Sequence, residues 1–150
     1  NIFNNIDIFI LEICTRKIYF AQEKYYYCDD YMRRLEKNKN LEELNNIEHK
    51  IMNEEDILQD IKFIQKYLKK PILIVSHINC KLNNSIIETR DSLINLLENI
   101  CDKNNISFYN PTKILDYFDQ TNVMNKDLVH YNRYYHDIIT RLINYNILNI

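Results

Sequence analysis

At 150 residues and 46% hydrophobic content, the chain is long enough for one domain around a single core. A formal charge of −2, carried in mixed blocks of both signs, provides no broad positive field, so neither nucleic acid nor an anionic membrane is an expected partner. Glycine is absent where about 7% is usual, which excludes a P-loop and a G-x-G-x-x-G dinucleotide turn.

Ile, Asn, Lys and Tyr are over-used, the bias of an AT-rich genome such as that of a large DNA virus or a parasite. Without glycine, left-handed backbone positions in turns and helix C-caps are expected to fall to Asn. Cys14, Cys28, Cys80 and Cys101 show no C-x-x-C or paired spacing and no signal peptide precedes them, so they read as reduced, mostly buried thiols of a cytoplasmic protein. No apolar run approaches the roughly 18–20 residues of a membrane span. The chain begins at Asn1 and enters an apolar run at once, as expected of a segment cut from a longer protein.

Ile6–Ile13 is almost continuously apolar and β-branched, the pattern of a strand covered on both faces. It exits into Cys14-Thr15-Arg16-Lys17. Tyr25–Tyr27 reads as half-buried loop or helix tyrosines, and Leu35 to Asn53 as an exposed connecting helix bearing a surface His49. Asn53 followed by Glu54, Glu55 and Asp56 marks a helix start, and Ile57, Ile61, Ile64 and Leu68 supply its apolar stripe. Lys69-Lys70-Pro71 ends that helix.

Ile72–Val75 is the clearest strand and exits into Ser76-His77-Ile78-Asn79-Cys80. A second helix follows Asn84, with Ile86, Ile87, Leu93, Leu96, Leu97 and Ile100 apolar and Arg90 on or near the surface. Ile106–Tyr109 reads as a third strand, Asn110-Pro111-Thr112 as a capping turn, and Lys113–Phe118 as a short helix. The final helix carries Tyr134, Ile138, Leu142 and Tyr145. Strands alternating with long crossover helices predict an α/β fold: a parallel sheet of at least three strands with flanking helices, a flavodoxin-like three-layer arrangement missing its N-terminal part.

Asp127 and His130 stand three residues apart just before the last helix. At that spacing the Asp127 carboxylate reaches Nδ1–H of His130, sets its tautomer and leaves Nε2 to take a proton from a nucleophile. In open α/β sheets, sites form at the C-terminal ends of the strands. Cys14, Thr15 and Arg16 lie at one such end, and Ser76, His77 and Asn79 at another.

In this order of elements the chain resembles the C-terminal part of an SGNH/GDSL-type hydrolase, most of all the GSCFA branch. The matching features are the polar exit Cys14–Lys17, the Pro71-led strand with Ser76-His77-Ile78, Arg90-x-x-Leu93, the turn after Tyr109, and Asp127-x-x-His130. The resemblance implies a serine esterase acting on a small ester or an acylated glycan, with His130 as base and Asp127 as its orienter. The family's nucleophilic serine and Gly-x-Asn-Asp motif have no counterpart here. Thr15 or Arg16 then stand as oxyanion donors, Cys14, Ser76, His77 and Asn79 as lining residues, and this chain alone is expected to be inactive.

Other readings stay open. A non-catalytic binding or scaffold domain would account for the missing serine. Cys14 with His130 as its base is a thiol alternative, although such a cysteine is more often part of the core. His77, Cys80 and His130 or His136 fit no zinc spacing, so neither metal nor cofactor is expected.

Overall fold

Strands β1 (Phe9–Ile13), β2 (Lys17–Ala21), β3 (Tyr25–Tyr27) and β4 (Glu48–Ile51) precede helix α1 (Glu54–Leu68), strand β5 (Ile72–Ser76) and helix α2 (Glu88–Asn104). Strand β6 (Ser107–Tyr109), a 3₁₀ helix (Pro111–Tyr117), the single turn α3 (Gln120–Val123) and helix α4 (Arg133–Leu148) complete the chain. The structure is a computed structural model that describes residues 5–21, 25–27, 36–37, 39, 46–81 and 85–148. Its contacts divide it into two compact units, Asn1–Cys14 with Ile64–Ile150, and Thr15–Phe63.

The first unit holds a parallel sheet in the order β1-β5-β6. The α/β class, the three parallel strands and the flanking helices agree with the sequence, and the arrangement is compatible with a flavodoxin-like fold. Central β5 is buried at all five positions, as a strand with neighbours on both sides and apolar faces should be. Helix α2 packs on β5 and β6 and buries Leu93, Ile94, Leu97, Ile100 and Cys101.

Two details of this unit differ from the sequence expectation. β1 is not covered on both faces: it is an edge strand, and Ile10 is 55% exposed while Phe9, Leu11 and Ile13 are half-buried. Ile86 and Ile87 do not belong to the α2 stripe, because Ile87 is the extended N-cap residue and the helix begins at Glu88. Asn105 does take the left-handed C-cap position of α2, with φ 54°. The other positive-φ residues among those described are Lys39, Lys69 and Leu128, so asparagine is not the general substitute for glycine.

The second unit carries an antiparallel sheet in the order β3-β2-β4. Lys17–Ala21 and Tyr25–Tyr27 pair as antiparallel strands where the sequence suggests a polar exit and a loop or helix, and Glu48–Ile51 pairs with β2 rather than ending a helix. Strand pairing overrides the helical spacing at Ile51, since edge pairing satisfies the backbone where no core face is available. The rest of the predicted 35–53 helix lies largely outside the described residues. Asn53 caps the following turn as expected: its Oδ1 accepts from the Asp56 N–H, and its own N–H donates to the Asp56 carboxylate, at 2.9 and 3.0 Å.

A core cluster of Ile78, Cys80, Ile114, Leu115, Val123, Met124 and Ile139 joins the β5 exit to the 3₁₀ helix, α3 and α4. Helix α4 faces it with Tyr135, Ile139, Leu142 and Ile143. Of the predicted face only Leu142 packs there: Tyr134 is 86% exposed, and Ile138 and Tyr145 are exposed as well. Both stripes are apolar in sequence, so periodicity alone could not choose between them.

Candidate functional site

The turn between α3 and α4 is closed at its base by backbone pairing. Met124 and Tyr131 form an isolated antiparallel bridge, and the Asn125 N–H donates to the His130 carbonyl at 2.8 Å. Within the loop Leu128 is left-handed, with φ 56°, a conformation that costs a branched residue about 1–2 kcal/mol. Core contacts hold it there, since the Leu128 and Tyr131 side chains pack against the cluster below. The intervening residues are thereby turned outward.

Asp127 binds the turn with both oxygens. Oδ1 accepts from the backbone N–H groups of Val129 and His130, at 2.9 and 3.0 Å, and Oδ2 lies 2.8 Å from His130 Nδ1. The hydrogen bond from His130, followed by the two backbone donors, holds the Asp127 carboxyl well below its usual range. A fixed, ionised acceptor at Nδ1 selects the tautomer with its proton on Nδ1 and keeps Nε2 unprotonated in the neutral ring. The imidazole is 74% exposed. It borders an open groove of about 720 Å³, lined also by Asn125, Tyr131, Asn132, Arg133 and His136.

Sequence reasoning missed the residue that holds this turn from behind. Arg90 Nη1 donates to the Leu128 carbonyl at 2.6 Å and to the Ile78 carbonyl at 3.3 Å. The Cys80 thiol donates to the same Leu128 carbonyl at 3.0 Å. One guanidinium on α2 thus ties the β5 exit to the Asp127–His130 loop. Arg90 is half-buried, near the surface as the sequence suggests. The signal was present, because Arg90 shares the i, i+3, i+7 stripe of Leu93 and Leu97.

The remaining predicted site residues have local partners. Ser76 is fully buried and its Oγ donates to Asn110 Oδ1 at 3.4 Å. The Asn79 side chain bridges the backbone N–H and carbonyl of Ile87 and so fixes the approach to α2. In the second unit, Thr15 Oγ1 accepts from the Lys17 N–H, and Arg16 Nε donates to the Met52 carbonyl at 2.8 Å. Cys80 is buried against Leu128, so it is not available to a ligand set with His77 and His130. His136 lies 3.7 Å from Asp137 on the surface.

A second carboxylate–imidazole contact stands at the C-terminal ends of β1 and β5. Parallel pairing of Ile13 with Ser76 brings Cys14 and His77 side by side, and His77 Nδ1 lies 3.0 Å from Glu12 Oε1. Glu12 was not singled out from the sequence, since only the strand register places it beside His77. The hydrogen bond with His77 lowers the Glu12 pKa. Partial burial, then the neighbouring Glu12 charge, pushes the Cys14 thiol up to about 11, which disfavours it as a free thiolate nucleophile.

Comparison with known proteins redirects the family assignment. The family model for the TviD N-terminal domain matches residues 21–145. No curated protein and no solved structure matches the chain. The resemblance to SGNH/GDSL hydrolases is thereby overturned: the matching model is of a different family. Its sharpest motif, Asp127-x-x-His130, is short enough to arise wherever a carboxylate caps a tight turn. With a match across most of its length, the chain belongs to the TviD N-terminal domain family.

Proposed function

We propose that this domain serves ester hydrolysis, removing an acyl or acetyl group from a small molecule or a glycan, with His130 as general base and Asp127 as its orienting carboxylate. The observation that carries the reading is the 2.8 Å contact of His130 Nδ1 with Asp127, on a ring whose other edge faces an open groove. Nε2 takes the proton of a hydroxyl as its oxygen attacks the ester carbonyl. Asp127 stabilises the imidazolium, and the proton then passes to the departing alkoxide. Ser76, Ser85, Ser92 and Ser107 are all described and none is bonded to His130, so the attacking oxygen in this reading is water or a serine that these 150 residues do not contain. The free Cys14, Cys80 and Cys101 support placing this chemistry in a reducing, cytoplasmic setting.

Hydrolysis of p-nitrophenyl acetate by the full-length protein tests the proposal. His130→Ala should lower the rate by about 10²–10⁴-fold, the usual range for a positioned general base. An unchanged rate in a folded His130→Ala protein would overturn it. Labelling by a fluorophosphonate identifies a serine nucleophile, and turnover without labelling identifies water.

A second reading, a non-catalytic binding or scaffold domain, is favoured by one specific observation. Ser76, the serine at a strand exit, is buried and bonded to Asn110. That reading predicts neither turnover nor labelling.

A further inference from the structure

The His130 site leaves one group of reactive side chains unexplained. Glu12, Cys14 and His77 present a carboxylate oxygen, a sulfur and an imidazole nitrogen that all lie within 4.8 Å of one another. A single point therefore lies within about 2.8 Å of all three (4.8 Å divided by √3). Zinc bonds to these donors run about 2.0–2.3 Å, so modest side-chain movement closes the site. We propose that Glu12, Cys14 and His77 form a three-ligand site for a zinc-type divalent transition metal, with a fourth position open to water or a substrate group.

The fold supplies the geometry. Glu12 lies on β1 and Cys14 two residues on, just past the strand's end, while the parallel pairing of Ile13 with Ser76 delivers His77, just past the end of β5, next to Cys14. All three sit at the C-terminal strand ends, where α/β sheets build their sites. The hydrogen bonds now present mark where the ion would go. His77 and the Cys14 thiol both contact the Glu12 carboxylate, so protons hold together the donors that a cation would bridge.

The chemistry of the set is selective. A thiolate with an imidazole favours zinc-like ions over magnesium or calcium, which prefer oxygen donors throughout. On binding, the Cys14 thiol proton leaves to solvent and the proton of neutral His77 moves to Nε2. One carboxylate and one thiolate then balance the charge of the divalent ion. Arg90, a cation whose charge reaches Cys14, is directed to the Leu128 and Ile78 carbonyls. Glu12 and His77 also line a cavity of about 340 Å³ with Ile10, Val75, Val129 and Tyr131, which provides room for a fourth ligand.

The full-length protein, stripped with a chelator and titrated with Co²⁺, provides the test. One Co²⁺ per chain should bind with a near-ultraviolet thiolate-to-cobalt charge-transfer band, and Zn²⁺ should displace it. Cys14→Ser should abolish the band, whereas Cys28→Ser should leave it intact. His77→Ala and Glu12→Gln should each weaken binding by about tenfold or more, with circular dichroism confirming that each variant is folded. Absence of Co²⁺ binding, or a band that persists in Cys14→Ser, overturns the proposal. Because the readout is metal occupancy, it is independent of whether His130 supports ester hydrolysis.

Discussion

Asp127 is a small residue with four tasks in one turn: two backbone N–H groups, one imidazole and one ionised charge. Because its folded pKa is depressed, it contributes stability that is fully present above the unfolded carboxylate value near 3.9 and is lost as pH falls through the folded one. The Val129 and His130 amide resonances should therefore keep their closed-turn positions as pH passes through the ordinary carboxylate range at about 4, and shift together only well below it, as Asp127 takes its proton and the turn opens. Asp127→Ala should show the opened-turn shifts already at pH 7, and a wild-type midpoint at the ordinary carboxylate value of about 4 would refute the coupling. The Asp127–His130 contact was legible in sequence because i, i+3 spacing at a helix mouth constrains it locally. Glu12 was not, since its partner is 65 residues away and only the β1–β5 register joins them.

At the scale of elements, α2 works through its ends as much as through its core stripe. The bidentate Asn79–Ile87 contact fixes its start, Arg90 fixes the Asp127–His130 loop from its first turn, and Asn105 closes it in the left-handed region. Arg90→Met keeps the stem volume but removes the charged donor from two carbonyls. A loss of about 1.5–3 kcal/mol in urea unfolding is expected, the range for hydrogen bonds to a charged group. Under the proposed hydrolysis the rate should fall too, as the loop bearing His130 loses its anchor; a stable variant whose His130 loop resonances are unmoved would show that Cys80 holds the loop unaided. Asn105→Ala should cost about 1–2 kcal/mol and Asn105→Gly close to nothing, because alanine keeps the Cβ that crowds the backbone at positive φ without the polar side chain that compensates in asparagine, and glycine has no Cβ. Strands β1, β5 and β6 and both long helices of this unit could be read from apolar runs and caps. The face of α4 could not, because two apolar stripes compete along it, and β4 could not, because its partner β2 was hidden in a polar exit.

Across the whole molecule, burial is unevenly shared between the two units. β5 has every residue buried and sits between two parallel neighbours, whereas β4 has every residue exposed and pairs on one side with β2. Amide protons of β5 can exchange only when the sheet and α2 come apart together, a global opening. Those of β4 need only the hairpin sheet to fray, which costs far less when few apolar contacts are lost. Native-state hydrogen exchange should accordingly find β5 and α2 slower than β4 by at least about 10²-fold, with β5 reaching the stability measured by urea unfolding. Ile74→Ala, at a position with no exposed surface, should lower that ceiling by about 2–5 kcal/mol. The same substitution should leave β4 exchange where it was. Equal slowing of β4 and β5, or loss of protection in both on Ile74→Ala, would mean that the two units open as one, and that the hairpin sheet draws its stability from the core that carries the Asp127–His130 loop.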